Sequence, residues 1–361
     1  MQSTPSTFVS ESILSWYDQG HRDLPWRRQK DPWGIWVSEI MAQQTRVESV
    51  IPYWERFIGL YPTPGHLAAA PLDDLLALWA GLGYYARARN LYKGATQVVE
   101  RHGGVIPDDP EAFGALAGVG RYTCGAVMSI AFGRQTPVVD GNVVRVLARF
   151  DRIHDDPRAP ATQRRLWARA EALVPKKRPG DFNQGLMELG ATVCTPKSPT
   201  CLLCPLSSQC QGLAHGEIDR LPMKKKATPR KKAVRVAGLS FTEAGEVWLA
   251  QRPAEGLLGG LWELPAITVE GADVDQLGAQ LKTLGLEVTG EARVITHAFT
   301  HLEWTVYVFP AQGTPAGGSA VAYRAVAPES LIDAGLTGPA LKALRAWKVK
   351  GAPKRRGSGK S

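Results

Sequence analysis

The chain has 361 residues, more than one core usually organises and enough for two domains of about 150 residues each. Hydrophobic residues make up 44% and charged residues 21%, which excludes a disordered or collagen-like chain, and no apolar run approaches the ~18 residues of a membrane span. Lysine and arginine (43) outnumber aspartate and glutamate (34), and the net charge of +9 favours a polyanionic partner.

Met1 to Ser10 is polar and lacks the basic and apolar regions of a secretion signal, so a cytoplasmic protein is expected. Residues 8–215 read as mostly helical: Leu75–Trp79, Gln163–Leu173 and Asn183–Val193 set apolar residues at helical spacing between Pro and Gly. Glu39 falls on an expected helix among Ile35, Trp36, Val37, Ile40 and Met41, and taken alone it reads as a surface carboxylate of an amphipathic helix. Asp109-Pro110 supplies a cap and a first-turn proline for another helix. Next comes Leu116-Ala117-Gly118-Val119-Gly120-Arg121-Tyr122-Thr123, between two helical patterns. Its glycines permit a tight turn, and the helix that follows opens with free N–H groups able to bind phosphate; an ordinary helix–helix turn is the plainer alternative. Cys124, alone in an apolar helical stretch, is expected to be a buried small side chain. In Val138-Val139-Asp140-Gly141-Asn142-Val143-Val144-Arg145, spacing alone makes Asp140 a helix N-cap.

The remaining cysteines follow as Cys194-x6-Cys201-x2-Cys204-x5-Cys210. Four thiolates so close can wrap one metal centre in a reducing compartment. A single Cys-x-x-Cys knuckle, a long first gap and no histidine between the ligands favour an iron–sulfur cluster, with zinc left open. Residues 216–232 form a basic linker, solvated or tracking phosphates: Arg220, Lys224, Lys225, Lys226, Arg230, Lys231 and Lys232 lie in it, with Arg235 just beyond and no acidic residue between Arg220 and Arg235. The texture then changes. Val234–Phe241, Val247–Gln251, Ala292–Thr296 and Trp304–Pro310 read as strands and Asp273–Leu284 as a helix, an α+β domain over 233–347. The basic, Gly/Ser-rich tail 348–361 is expected to be disordered.

The hairpin, the Val-Asp-Gly-Asn segment and the four-cysteine loop, in this order and spacing, resemble the helix-hairpin-helix DNA glycosylases of the endonuclease III superfamily. Arg22-Asp23-Leu24-Pro25-Trp26-Arg27, Glu39-Ile40-Met41-Ala42-Gln43-Gln44-Thr45 and Gly81-Leu82-Gly83-Tyr84-Tyr85-Ala86-Arg87-Ala88-Arg89-Asn90-Leu91 narrow this to a resemblance to the MutY family of adenine DNA glycosylases. The resemblance is dense over 8–215 and looser beyond. It implies an N-terminal all-α helix-hairpin-helix glycosylase domain with a [4Fe–4S] cluster on Cys194, Cys201, Cys204 and Cys210. It also implies a C-terminal α+β Nudix-like domain. The implied activity is base excision repair: a monomer, nucleoid-associated in the cytoplasm, hydrolyses the N-glycosidic bond of adenine opposite 8-oxoguanine or guanine in duplex DNA.

Residue by residue, the resemblance makes Glu39 the acid that protonates adenine and Asp140 the carboxylate that stabilises the sugar cation. Asn142 orients this centre, and Tyr122 hydrogen-bonds near the sugar and Asp140. Bifunctional relatives carry a lysine where Tyr122 stands; a phenol cannot form an imine, so removal of the base by water is expected. Arg22, Leu24, Trp26 and Gln184 would line the adenine pocket, Gln44 and Tyr84 would wedge into the duplex, and Thr45 and Leu82 would touch the opposite base. Glu39 and Gln43 are expected to share one helical face, with Gln44 pointing elsewhere. Gly118, Gly120 and Lys197 would meet phosphates.

Gly259-Gly260-Leu261-Trp262-Glu263-Leu264-Pro265 resembles the start of a Nudix segment, but Asp273 to Lys282 lacks the carboxylate array that binds magnesium, so no nucleotide hydrolysis is expected. Phe299-Thr300-His301 matches a family loop that touches 8-oxoguanine. The competing readings are a bifunctional glycosylase/AP lyase, opposed by Tyr122, and a non-catalytic damage-binding protein, opposed by the presence of both Glu39 and Asp140. A nucleotide pyrophosphatase is opposed by the missing carboxylates.

Overall fold

A computed structural model describes residues 6–223, 229–253, 255–269, 276–316 and 321–353. The basic stretch 224–228 and the tail 354–361 lie outside them, as do 273–275 of the expected C-terminal helix. By contact the chain divides into two units, Met1–Ala70 with Arg87–Lys226, and Pro71–Ala86 with Ala227–Ser361. No helix among the described residues is long and apolar enough to cross a membrane.

In chain order the helices are α1 (Ser6–Gln19), α2 (Pro32–Ala42), α3 (Val47–Leu60), α4 (Pro64–Ala69), α5 (Leu72–Leu78), α6 (Ala86–His102), α7 (Pro110–Gly114) and α8 (Arg121–Ile130). They continue with α9 (Gly141–Phe150), α10 (Pro160–Leu173), α11 (Pro179–Thr192) and the short α12 (Gln211–Ala214); α5 belongs to the second unit. Local chemistry sets several starts: Asp31, Asp109 and Asp140 each accept from backbone N–H groups of the helix they open. α2 is buried on all sides from Trp33 to Met41, so it is a core helix and not amphipathic. Trp36 anchors it, edge-on to Trp33 at 5.6 Å and to Phe113 at 5.1 Å. α11 packs against α1, α8 and α9.

The turn between α7 and α8 depends on Gly118. Its φ of +77° is left-handed, and a Cβ there would stand 2.6 Å from Asn90 Cβ. Gly120, the N-cap of α8, has φ −90° and open space around its missing Cβ. Gly118→Ala is therefore expected to destabilise the protein by roughly 1–3 kcal/mol in chemical denaturation, and Gly120→Ala by clearly less. Equal losses would contradict this account of the turn.

The second unit holds β1 (Lys231–Leu239), β2 (Val247–Gln251), β3 (Trp262–Glu263), β4 (Ala266–Val269), β5 (Glu287–Val288), β6 (Arg293–Ala298), β7 (Leu302–Gln312), β8 (Tyr323–Val326) and α13 (Gly338–Ala346). One sheet runs β4-β1-β7-β5 with β6 also on β7, and the other runs β3-β2-β8. β1 and β7 are parallel, with Lys231 opposite Leu302 and Leu239 opposite Pro310. Leu239, Val247, Leu249, Trp304, Val308 and Leu344 share its core. The expected helix at Asp273–Leu284 is corrected: its described part is a 3-10 helix, Gly278–Leu284, opened by one glycine and closed by Gly285 at φ +72°.

Candidate active site

Glu39 points from the buried α2 and is 9% exposed. Burial pushes its carboxyl up to about 7; the Tyr122 hydrogen bond opposes that rise, the Asp140 charge adds to it, and the Arg27 charge opposes it. Tyr122, in the first turn of α8, donates from Oη to Glu39 Oε2 at 2.5 Å and lies 3.4 Å from Met187 Sδ. The phenol's bond is to Glu39, and the Asp140 charge also reaches it. Burial, followed by the charges of Glu39 and Asp140, holds the Tyr122 hydroxyl well above its ordinary pKa, so it stays a donor.

Asp140 is indeed the N-cap of α9: Oδ1 accepts from Val143 N at 2.7 Å, and Oδ2 accepts from Asn142 Nδ2 at 2.9 Å. Burial lifts its carboxyl above the usual carboxylate range, against these hydrogen bonds and the Arg145 charge. Asn142 is held in turn, because Arg145 Nη2 donates to its Oδ1 at 2.7 Å and to Gly190 O at 2.6 Å, while Arg145 Nε donates to Cys194 O at 2.7 Å. An unbroken series of hydrogen bonds thus joins Asp140 to the main chain of the first loop cysteine. α9 and α11 meet closely here: a Cβ on Gly190 would stand 2.6 Å from Asn142 Cβ. Arg145 was not singled out from the sequence, though it lies one helical turn from Asn142.

Of the residues expected to line an adenine pocket, one is held by a carboxylate. Arg22 is committed to an ion pair: Nε and Nη2 reach the two Glu188 oxygens at 2.7 and 3.0 Å, and Nη1 lies 3.5 Å from Glu48. Arg22 N–H also donates to Glu188 Oε1 at 3.2 Å, and Arg27 Nη2 adds a fourth bond to the carboxylate at 2.8 Å. Burial raises the Glu188 carboxyl, yet the bonds and charges of Arg22 and Arg27 together hold it below its usual range. Sequence reasoning missed Glu188, whose signal was its place four residues after Gln184 on α11. Gln184 and Trp26 are half-buried, Leu24 is buried, and the Trp26 ring lies 5.8 Å from that of Trp54.

The shared face of Glu39 and Gln43 is corrected, because α2 stops at Ala42. The buried Arg87 explains the stop: its Nη1 donates to the carbonyls of Ile40, Met41 and Gln43 at 2.8, 2.9 and 2.5 Å, and Nη2 reaches Thr45 Oγ1 at 3.3 Å. Gln44 is left exposed in a left-handed backbone, φ +56°. Cys124 is also corrected: it is half-buried, and its thiol donates to Pro110 O at 3.4 Å. Lys197 is exposed on the cysteine loop.

In the second unit, Tyr84 is exposed with φ +49°, and its Oη lies 3.5 Å from Thr300 Oγ1. Leu82 is only 6% exposed, so contact with an opposite base requires that burial to be undone. Thr300 and His301 sit exposed in the β6–β7 turn, which Phe299 closes by donating from its N–H to Leu302 O at 2.7 Å. The Phe299 ring packs edge-on against buried Trp304 at 4.9 Å, so the turn is built on the core.

Cys194, Cys201, Cys204 and Cys210 are free, half-buried and gathered around one cavity with Val193, Pro199, Leu213 and Ile218. Burial, with their mutual charges, pushes the Cys201, Cys204 and Cys210 thiols up, Cys204 to about 11. Among the described residues no three such side chains are close enough to hold a single metal ion. Four cysteines of one loop brought to a single, largely apolar cavity are a donor set that fits a thiolate-held metal centre.

Residues 37–172 match the family model described as HhH-GPD superfamily base excision DNA repair protein, and residues 236–346 match that of the NUDIX domain. The adenine DNA glycosylase of Homo sapiens is 40% identical to this chain, over 82% of it and 66% of the human protein. The adenine DNA glycosylase of Mus musculus is 37% identical over 98% of this chain and 81% of its own length. Among solved structures, a thermostable thymine-DNA glycosylase is similar with a TM-score of 0.54 and 32% identity, over 58% of this chain and 97% of that one.

Proposed function

The chain belongs to the adenine DNA glycosylases of the HhH-GPD superfamily, and from that premise we propose that it removes adenine from duplex DNA by water alone, where adenine faces 8-oxoguanine or guanine. The observation that carries this reading is the buried Glu39 carboxyl, raised to about 7 and bonded to Tyr122, with the charge of Asp140 close enough to be felt by both.

In this reading an extruded adenine takes a proton from Glu39 on a ring nitrogen and leaves with the electron pair of the N-glycosidic bond. The sugar becomes an oxocarbenium ion. Asp140, held by Val143 N–H and Asn142, faces that cation; a buried carboxylate gains most when a positive charge develops beside it, so its stabilisation is concentrated in the transition state. Water then adds to the sugar and returns a proton to Glu39, leaving an abasic site and free adenine. Tyr122 has no amine to capture the sugar, so the strand stays intact.

Gln44 and Tyr84, exposed in left-handed backbone, suit wedges into the stack; Gly118, Gly120 and Lys197 suit phosphate contact. The exposed Thr300 and His301 suit a reader of the opposite base. Cys194, Cys201, Cys204 and Cys210 would hold a [4Fe–4S] cluster, which when bound cross-links the loop they span.

The test is a duplex with one 8-oxoguanine·adenine pair. Free adenine should appear, with strand breakage only after alkali. Breakage without alkali would replace this reading with a lyase; a duplex left unchanged would leave a protein that only binds damage.

A further inference from the structure

One turn beyond Arg145, α9 carries a second arginine. Arg149 is 2% exposed, and its guanidinium meets main-chain carbonyls and one sulfur. Nε donates to Ile218 O at 3.0 Å and to Leu221 O at 2.9 Å, Nη1 donates to Thr195 O at 2.8 Å, and Nη1 lies 3.3 Å from Cys194 Sγ. No carboxylate of the described residues pairs with it. The carbonyl of the same residue takes Cys210 Sγ at 3.6 Å, so the first and last cysteines of the loop both close on Arg149.

A buried cation with no anion is a costly arrangement, and carbonyl dipoles offset it only in part. The cavity beside it is lined by the four cysteines of the loop. An iron–sulfur cluster on four thiolates is itself an anion, and its arrival would supply the charge that Arg149 lacks.

We propose that Arg149 is the charge partner of this cluster, a positioning residue whose buried guanidinium and N–H···S bond to Cys194 make the loop hold an anionic thiolate cluster. The proposal rests on the [4Fe–4S] reading of the loop. Hydrogen bonds to ligand sulfurs and fixed charges beside a cluster act on both its retention and its reduction potential. Removing a positive charge disfavours the added electron, so the potential should fall.

The experiment uses the full chain purified with its cluster, as wild type, Arg149→Lys, Arg149→Met and Arg149→Gln. Iron and sulfide per chain, the decay of the visible iron–sulfur absorbance under a chelator, and the reduction potential by voltammetry are measured. Lysine, which keeps the charge, should retain the cluster. Methionine should lose it about 10- to 100-fold faster, and what remains should reduce at a lower potential. Should methionine not fold, the lysine and glutamine variants read the same charge: retention by lysine with rapid loss by glutamine supports the proposal, and equal loss overturns it. Wild-type iron content, decay and potential in Arg149→Met would overturn it too, as would an equal drop in Tm with and without iron, which marks a purely structural arginine. Wild type purified without iron or sulfide would instead fail the cluster reading itself, and the proposal with it.

Discussion

Glu39→Gln is expected to slow single-turnover release of adenine by about 10²- to 10⁴-fold, with DNA affinity little changed. Glutamine has the size of glutamate and can still accept from Tyr122, so the buried site keeps its shape, but it has no proton to give. The pH profile supplies a second reading. A carboxyl raised to about 7 is neutral below that value, so the wild-type rate should hold at lower pH and fall as pH climbs through 7. The glutamine variant should lose that limb. Stability should follow the same sign: the folded pKa exceeds the unfolded one, so wild type loses stability from the ordinary carboxylate range up to about 7, and the variant does not. A glutamine variant with near-normal rates would remove Glu39 from proton transfer.

Asp140→Asn should cost about 10²- to 10³-fold in the same assay, the loss expected when one preorganised electrostatic partner is taken from a developing charge. Asparagine is as good an N-cap as aspartate, so its oxygen can still accept from Val143 N–H and α9 should form. Its amide would face the amide of Asn142, whose own oxygen Arg145 already holds. One hydrogen bond is lost there, about 1 kcal/mol of stability. A rate loss no larger than that stability loss would reduce Asp140 to a cap.

The sequence and the structure agree best where local chemistry decides. The capping aspartates, the two-glycine turn and strand β2 at Val247–Gln251 follow from short-range rules, and all are found. The end of α2 was hidden because the residue that closes it, Arg87, lies far along the chain. The ion pair of Arg22 went unread because Glu188 lies far along the chain. Short elements such as β4 and β8 carry too few residues to show a period, and α13 went unread. In the site itself, the residue types were legible from their motifs. Which partner Tyr122 holds, and that Arg145 ties Asn142 to the cysteine loop, depends on packing between α2, α8, α9 and α11.

The guanidinium of Arg87 has a mechanical consequence. It grips the last carbonyls of α2 and the hydroxyl of Thr45 together, and α2 is enclosed from Trp33 to Met41. The exposed Gln44 and the enclosed Glu39 therefore ride on a single stiff lever. In the proposed reading the wedge at Gln44 and the acid at Glu39 would then move as one, and a strand that resists entry would also receive no proton.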